Sequence, residues 1–185
     1  MDPKASAYFI DAISTEFGCA IIAVSARGLA LVHLTGSGAA PTEHAIRKVA
    51  RHYFPSSLHV MAKDAPRHEA SLIQTASRKI IEPLYPNPIL LDLGGTPFQQ
   101  MVWRALKSIP HGEIWSYQRV ARAISKPSAY RAVANACGSN RLALIIPCHR
   151  VTRSDGALGG YRWGVGLKRR ILQSEHKLVS KERLR

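Results

Sequence analysis

Residues 142–151 read LALIIPCHRV, an apolar run broken by Pro147 and followed at once by Cys148, His149 and Arg150. An ordinary thiol is only about 3% thiolate at neutral pH, so a cysteine nucleophile needs a neighbouring base or positive charge. Here an imidazole and a guanidinium follow directly. A lone buried cysteine is more often inert core, but these polar neighbours argue for a nucleophile. The apolar run is expected to be a buried strand that delivers the thiol. Adjacent residues on an extended strand point to opposite faces, so spacing alone does not join Cys148 to His149, and a bridging water fits between them. The other two cysteines, Cys19 and Cys137, are far apart in sequence. Three cysteines with no CxxC pair make neither a disulfide framework nor a four-cysteine zinc site, and reduced thiols in a cytosolic setting are expected.

Several elements must position that segment. Residues 19–34 are two apolar runs flanking a turn at Gly28, which predicts a hairpin. Residues 42–54 carry Ile46, Val49, Ala50, Tyr53 and Phe54 at helical spacing behind Thr42 as cap. A second helix is predicted over 67–82, with Leu72, Ile73, Ala76, Ile80 and Ile81 inward, stopped by Pro83. The stretch PLYPNP (83–88) reads as a loop, because proline cannot continue a helix and restricts the residue before it. A short strand is predicted over 89–93. The boundary between the two halves falls around 83–95, giving domains 1–90 and 91–185. Beyond it, Thr96 and Pro97 open a helix that points Phe98, Val102, Leu106 and Ile109 inward. Ser116 caps another, SYQRVARAI. After the turn SKPS, AYRAVANACG forms a third helix ended by Gly138. Helix, tight turn, helix matches the helix-turn-helix pattern, although an αα-hairpin with no DNA role fits the same spacing.

Composition narrows the partner. The 185 residues carry 26 Lys and Arg against 12 Asp and Glu, a net charge of +14, which points to a polyanion such as nucleic acid. The N-terminus lacks a basic start followed by an apolar signal core, and no apolar run approaches the length of a bilayer span. A soluble, cytoplasmic, nucleoid-associated protein with no membrane partner is expected.

IPCHRV, preceded by RAVANAC and Asn140 and followed by GGYRWG, resembles the O6-alkylguanine-DNA alkyltransferases (methylated-DNA–protein-cysteine methyltransferases). The resemblance is strong from about residue 91 to 175, includes GTPFQQMVWRALKSIPHGEIWSYQRVARAI, and is greatest to the C-terminal domain of the bacterial adaptive-response protein; residues 1–90 match more loosely. It implies a small RNase H-like α/β N-terminal domain, a sheet with helices, followed by a mostly helical DNA-binding domain with a helix-turn-helix. It implies a single-turnover methyltransferase that takes the alkyl group from O6-alkylguanine, and O4-methylthymine as well, in double-stranded DNA, acting as a monomer without a cofactor.

The site residues that the resemblance implies are these. Cys148 attacks the alkyl carbon. His149 polarises it through a water, and Glu175 orients His149, in the base-plus-orienter logic of a triad; by itself Glu175 reads as a solvated helix carboxylate. Asn140 ties down the turn before the active-site segment. Arg131 enters the base stack in place of the extruded base, where otherwise it reads as a phosphate contact. Tyr117 contacts the backbone at the flipped nucleotide and gives a proton to guanine N3, although it also fits as a hinge aromatic. Ser116, Gln118 and Ala132 lie against DNA. The carbonyls of Cys148 and Val151 and the amide of Arg162 read the guanine edge, and Cys137, Tyr161 and Trp163 complete the pocket. The helix-turn-helix is expected in the minor groove, where Ala132, Ala134 and Ala136 suit a close approach and little sequence is read. Since no second thiol can exchange a thioether, Cys148 is expected to be consumed.

The sequence also departs from the family pattern. Two hairpin positions that supply zinc ligands in some members are Ser25 and Ala30, so no metal is expected despite eight histidines. The four zinc-binding cysteines of the adaptive-response protein's sensing domain have no counterpart, which leaves a transcriptional role without support. Arg162 and Trp163 replace smaller residues, which predicts a tighter pocket and weak reaction with O6-benzylguanine. The main alternative is a DNA-binding protein that recognises alkyl lesions without chemistry, against which Cys148 itself argues. A cysteine hydrolase would leave the charge unexplained, and a transcription factor would require a sequence-specific footprint.

Overall fold

Near-continuous apolar runs build the centre of the first sheet. Strand β2 (Gly18–Ser25) is buried along almost its whole length, as a central strand covered on both faces must be. It pairs antiparallel with β1 (Ala7–Thr15) and β3 (Gly28–Leu34); β4 (Leu58–Met61) adds to β1 in parallel, giving the order β3-β2-β1-β4. The computed structural model describes residues 7–36, 38–83 and 88–182. The chain divides into two units, Met1–Gly94 and Gly95–Arg185.

In the first unit, helix α1 (Glu43–Tyr53) is capped by Thr42, which accepts from the Ala45 amide at 3.3 Å. Ile46, Ala50 and Phe54 pack onto one sheet face with Tyr8, Ile10, Ile21 and Ala23. The Tyr8 and Phe54 rings stack at 3.8 Å. Helix α2 (Arg67–Ile81) buries Ile73, Ala76 and Ile80 and covers the other face. The strand expected over 89–93 is not formed. Only a single bridge joins Leu91 to Leu29, with Leu29 N bonding Leu90 O at 2.8 Å and Asp92 N bonding Leu29 O at 2.9 Å. Those bonds draw residues 91–94 into the first unit. Gly28, at φ +133°, permits this approach, because a Cβ there would collide with the Leu90 carbonyl. In the loop expected over 83–88, residues 84–87 lie outside the described residues, as do 183–185 of the basic tail.

The hairpin positions singled out in the sequence are both structural here: Ser25 donates to Asp92 Oδ2 at 2.8 Å, and Ala30 lies in the core. Among the described residues no group of three or more His, Cys, Asp or Glu could hold a metal ion, and no helix is long and apolar enough to cross a membrane.

The second unit is mixed, helices with a two-stranded sheet. Helix α3 (Pro97–Lys107) starts from a reciprocal capping box between Thr96 and Gln99 and buries Val102, Trp103 and Leu106. The Trp103 indole donates to Ala136 O at 2.8 Å. Strand β5 (Trp115–Ser116) leads into α4 (Tyr117–Ala123), capped by Ser116, whose hydroxyl accepts from Arg119 N at 3.0 Å. Ser125, at φ 57°, turns the chain; residues Pro127–Ala129 make one 3₁₀ turn, and α5 (Tyr130–Gly138) follows. The chain then crosses to β6 (Val151–Thr152), parallel to β5, and ends in α6 (Val165–Glu182).

Candidate active site

The apolar run before Cys148 is not a strand. Leu144 sits at φ 66°, the Ile145 amide bonds back to Ala143 O at 2.7 Å, and Cys148–Arg150 form a 3₁₀ turn. A short apolar run signals burial and not strand geometry, and here burial is complete: Cys148, His149 and Arg150 are all inside. The turn also removes the alternation expected of a strand. β6 pairs Val151 with Trp115 and Thr152 with Ser116, which fixes the start of α4 beside the residues after Cys148.

Asn140 is the peg of this arrangement. Its side-chain oxygen accepts from Leu142 N at 2.9 Å, and its Nδ2 faces Ile146 O at 3.0 Å and Cys148 Sγ at 3.1 Å. Burial pushes the Cys148 thiol up; the Asn140 hydrogen bond and the Lys168 charge oppose this without overcoming it. These neighbours offset burial only in part. Cys148 rests as a thiol and needs a base.

The base is at hand. His149 Nε2 lies 2.8 Å from Glu175 Oε1. Burial alone would raise the Glu175 carboxyl, but hydrogen bonds from His149 and Arg150 hold it at about 2. Glu175 is thus ionised and accepts, so His149 carries its proton on Nε2. Burial, the largest influence on His149, pushes its pKa down, against Glu175 pulling it up. The ring is neutral, and its lone pair is on Nδ1, a buried nitrogen that no protein group engages.

Arg150 braces the same carboxylate. Its Nε reaches Glu175 Oε2 at 2.9 Å, its Nη2 reaches Oε1 at 2.7 Å, and its Nη1 reaches Ile109 O. The buried cation and anion form a forked pair with satisfied donors.

Cys148 borders a cavity of about 320 Å³ lined by Tyr117, Ala134, Asn135, Cys137, Gly138, Gly160, Tyr161 and Arg162. Burial first, then the two thiols, pushes Tyr117 up to about 12, so its hydroxyl keeps a proton to give. Gly159 lets the loop pass close to it; a Cβ there would sit 3.0 Å from the Tyr117 oxygen. Burial also raises Cys137, and it raises Tyr161, whose buried hydroxyl has no hydrogen-bond partner among protein groups. Arg162 Nε donates to Gly138 O at 3.0 Å across the rim. Trp163 is outside the lining and packs edge-on against Tyr161 at 5.1 Å, and Val151 is buried behind it with its carbonyl bound by Lys168 Nζ.

A second cavity, about 410 Å³, shares Tyr117 and Ala134 and adds Gln118, Tyr130, Arg131, Arg153, Ser154 and Asp155. Ser116 is the cap of α4, and Ala132 is exposed on α5.

Two participants were not singled out in the sequence. Lys168 is enclosed and donates to Val151 O and Leu158 O, binding β6 to the loop that carries Tyr161. Its signal was available: Lys168, Ile171 and Glu175 are three and four residues apart, hence on one helix face. His111 is the other, 2.9 Å from Arg150 Nη2.

Comparison with known proteins places this geometry. The family model "6-O-methylguanine DNA methyltransferase, DNA binding domain" matches residues 97–177. The regulatory protein ada of Salmonella typhimurium is 43% identical over 163 residues, 86% of this chain and 43% of that protein. The bifunctional transcriptional activator/DNA repair enzyme Ada of Escherichia coli is 44% identical over 164 residues, again 86% and 43%. The chain thus spans less than half the length of these curated relatives. A crystal structure of Mycobacterium tuberculosis OGT in complex with DNA superposes with a TM-score of 0.68 at 30% identity, covering 92% of this chain and 93% of that one.

Proposed function

The chain belongs to the O6-methylguanine DNA methyltransferase family, and from that membership we propose that it repairs DNA by moving the alkyl group of O6-alkylguanine, and of O4-methylthymine, irreversibly onto Cys148. The observation that carries this reading is a buried thiol at the floor of a cavity, next to a neutral histidine oriented by an ionised glutamate.

In the proposed reaction His149 Nδ1 takes the thiol proton through one water. Sγ attacks the alkyl carbon, the C–S bond forms, and the C–O6 bond breaks with its electron pair going to the purine. Tyr117 gives a proton to guanine N3 as that charge develops, and the thiol proton restores the balance through solvent. The products are a thioether and an unmodified guanine. Asn140, donating to Sγ, supports the thiolate as it forms.

An O6 carbon inside a duplex is out of reach, so the base is flipped, at a cost of a few kcal/mol. In this reading α4 and α5 are a helix-turn-helix laid in the minor groove. The exposed Ala132 allows close approach, Ser116 and Gln118 touch the strand, and Arg131 fills the stack. The carbonyl of Cys148 and the Arg162 amide read the guanine edge, with Cys137 and Tyr161 as wall and Trp163 packed on Tyr161; Val151, whose carbonyl accepts from Lys168 Nζ, lies outside the lining. The first unit is read as RNase H-like scaffolding.

The test is stoichiometry with labelled duplexes. One methyl is transferred per protein from O6-methylguanine, and no more with excess DNA. Arg162 closing the rim onto Gly138 makes transfer from O6-benzylguanine at least about tenfold slower, a barrier difference of about 1.4 kcal/mol. Multiple turnovers contradict the reading, and equal rates for the two lesions contradict the tight rim.

A further inference from the structure

We propose that His111 is a positioning residue of the Glu175–His149 pair and makes the reactivity of Cys148 sensitive to solvent pH; this rests on the alkyl-transfer reading above. His111 lies in the loop between α3 and β5. The loop is tied to one guanidinium at two points: Ile109 O accepts from Arg150 Nη1, and His111 Nδ1 lies 2.9 Å from Arg150 Nη2.

A guanidinium has donors only and does not lose its proton. Nδ1 at that distance must therefore accept, which makes His111 a neutral ring with its proton on Nε2. Of the cluster, the side chains of His149, Arg150 and Glu175 are 0, 5 and 8% exposed, whereas His111 is 29% exposed. It is the member that water can protonate.

A proton on Nδ1 turns the bond to Arg150 into a meeting of two cations. The nearest anion is Glu175 Oε1, at 3.5 Å. That same oxygen already accepts from His149 Nε2 at 2.8 Å and Arg150 Nη2 at 2.7 Å. Protonated His111 thus competes for the oxygen that orients His149 and draws off part of the negative charge that makes its ring basic. The groups facing His111 are Arg150, with His149 behind it, from the 3₁₀ turn, and Glu175 from α6. On its own loop, Glu113 is engaged by Trp115 Nε1 at 3.1 Å and Arg119 at 3.7 Å. From α6, His176 and Lys177 line the adjoining cavity at Gly112.

The experiment compares wild type with His111→Asn, whose amide oxygen can still accept from Arg150 but does not titrate, with His111→Gln as a second variant. Single-turnover methyl transfer is followed from about pH 5 to about pH 8, the range in which histidines change charge. Wild type slows by about fivefold or more towards the acidic end, while the variants change by less than about twofold. The same acidic decline in all three proteins overturns the proposal. Nitrogen NMR signals of the His149 ring, recorded without DNA, provide the second reading. They move across this range in wild type and stay fixed in His111→Asn; signals that behave alike in both overturn the proposal. No transfer by any of the proteins at any pH would instead count against the alkyl-transfer reading, and the NMR comparison would still decide the role of His111.

Discussion

Cys148→Ala abolishes alkyl transfer while the protein stays folded and still binds duplex DNA. In the proposed mechanism its Sγ is the nucleophile that the Glu175–His149 pair serves. Asn140 loses one acceptor in the variant but keeps Ile146 O at 3.0 Å and Leu142 O at 3.4 Å, so no buried donor is orphaned. Losing one small buried sulfur costs about 1 kcal/mol, in line with small core truncations. The activity loss is complete, because Cys148 is the thiol that the proposed mechanism activates. Cys137 lines the same cavity but is buried away from a base, and burial holds its thiol protonated. Labelled methyl appearing on the Cys148→Ala protein would show that Cys137 or another residue is the acceptor. A large loss of stability measured by urea unfolding would show that Cys148 has a structural role as well.

Glu175→Ala has the largest effect on stability. Glu175 receives His149 and the fork of Arg150, all nearly inaccessible to solvent. Its removal leaves a guanidinium buried without a counter-ion, which costs about 3–5 kcal/mol. The pH dependence has a definite sign. The Glu175 carboxyl is held in the folded protein at about 2, below its ordinary value of 4.5, by the hydrogen bonds from His149 and Arg150 that outweigh burial. Its contribution of about 3 kcal/mol is therefore present in full above the unfolded pKa, and it disappears as the pH falls from about 5 to about 2. Urea unfolding at pH 7 and at pH 3 will show a gap between wild type and Glu175→Ala that narrows in acid. A gap that is constant with pH would mean that the carboxylate's charge does not hold the cluster. Methyl transfer in folded Glu175→Gln falls by about 10²–10⁴, as when a general base loses its orientation; an unchanged rate would remove Glu175 from the mechanism.

The residues that punctuate helices were the most legible part of the chain. Thr42, Thr96 with Pro97, and Ser116 each begin a helix where their chemistry predicts. The strands were less visible. β1 interrupts its apolar residues with Asp11 and Ser14, and β4 is four residues, LHVM, too short for an alternation to show. β4 is completed by pairing with β1, distant in sequence, which local pattern does not report. Apolar runs misled twice: the run at 142–147 is largely buried but not extended, and the run at 89–93, where Leu90 is 64% exposed, makes only a single bridge. In the site, Cys148 with His149 stands out by residue type alone. Glu175 looks like any helix carboxylate until its family resemblance is considered, and only the fold brings it to His149. Lys168 shares a helix face with Ile171 and Glu175, which marks it in the sequence, whereas His111 reaches Arg150 only through the fold.

Intact and peptide mass spectrometry of the protein, after mixing with a duplex holding one O6-methylguanine, is the most direct test. The expected result is a gain of a single methyl group, complete at one equivalent of DNA and located on the peptide containing Cys148. An unchanged mass while the lesion disappears, a methyl on another residue, or repair of several equivalents by one protein would contradict a consumed Cys148.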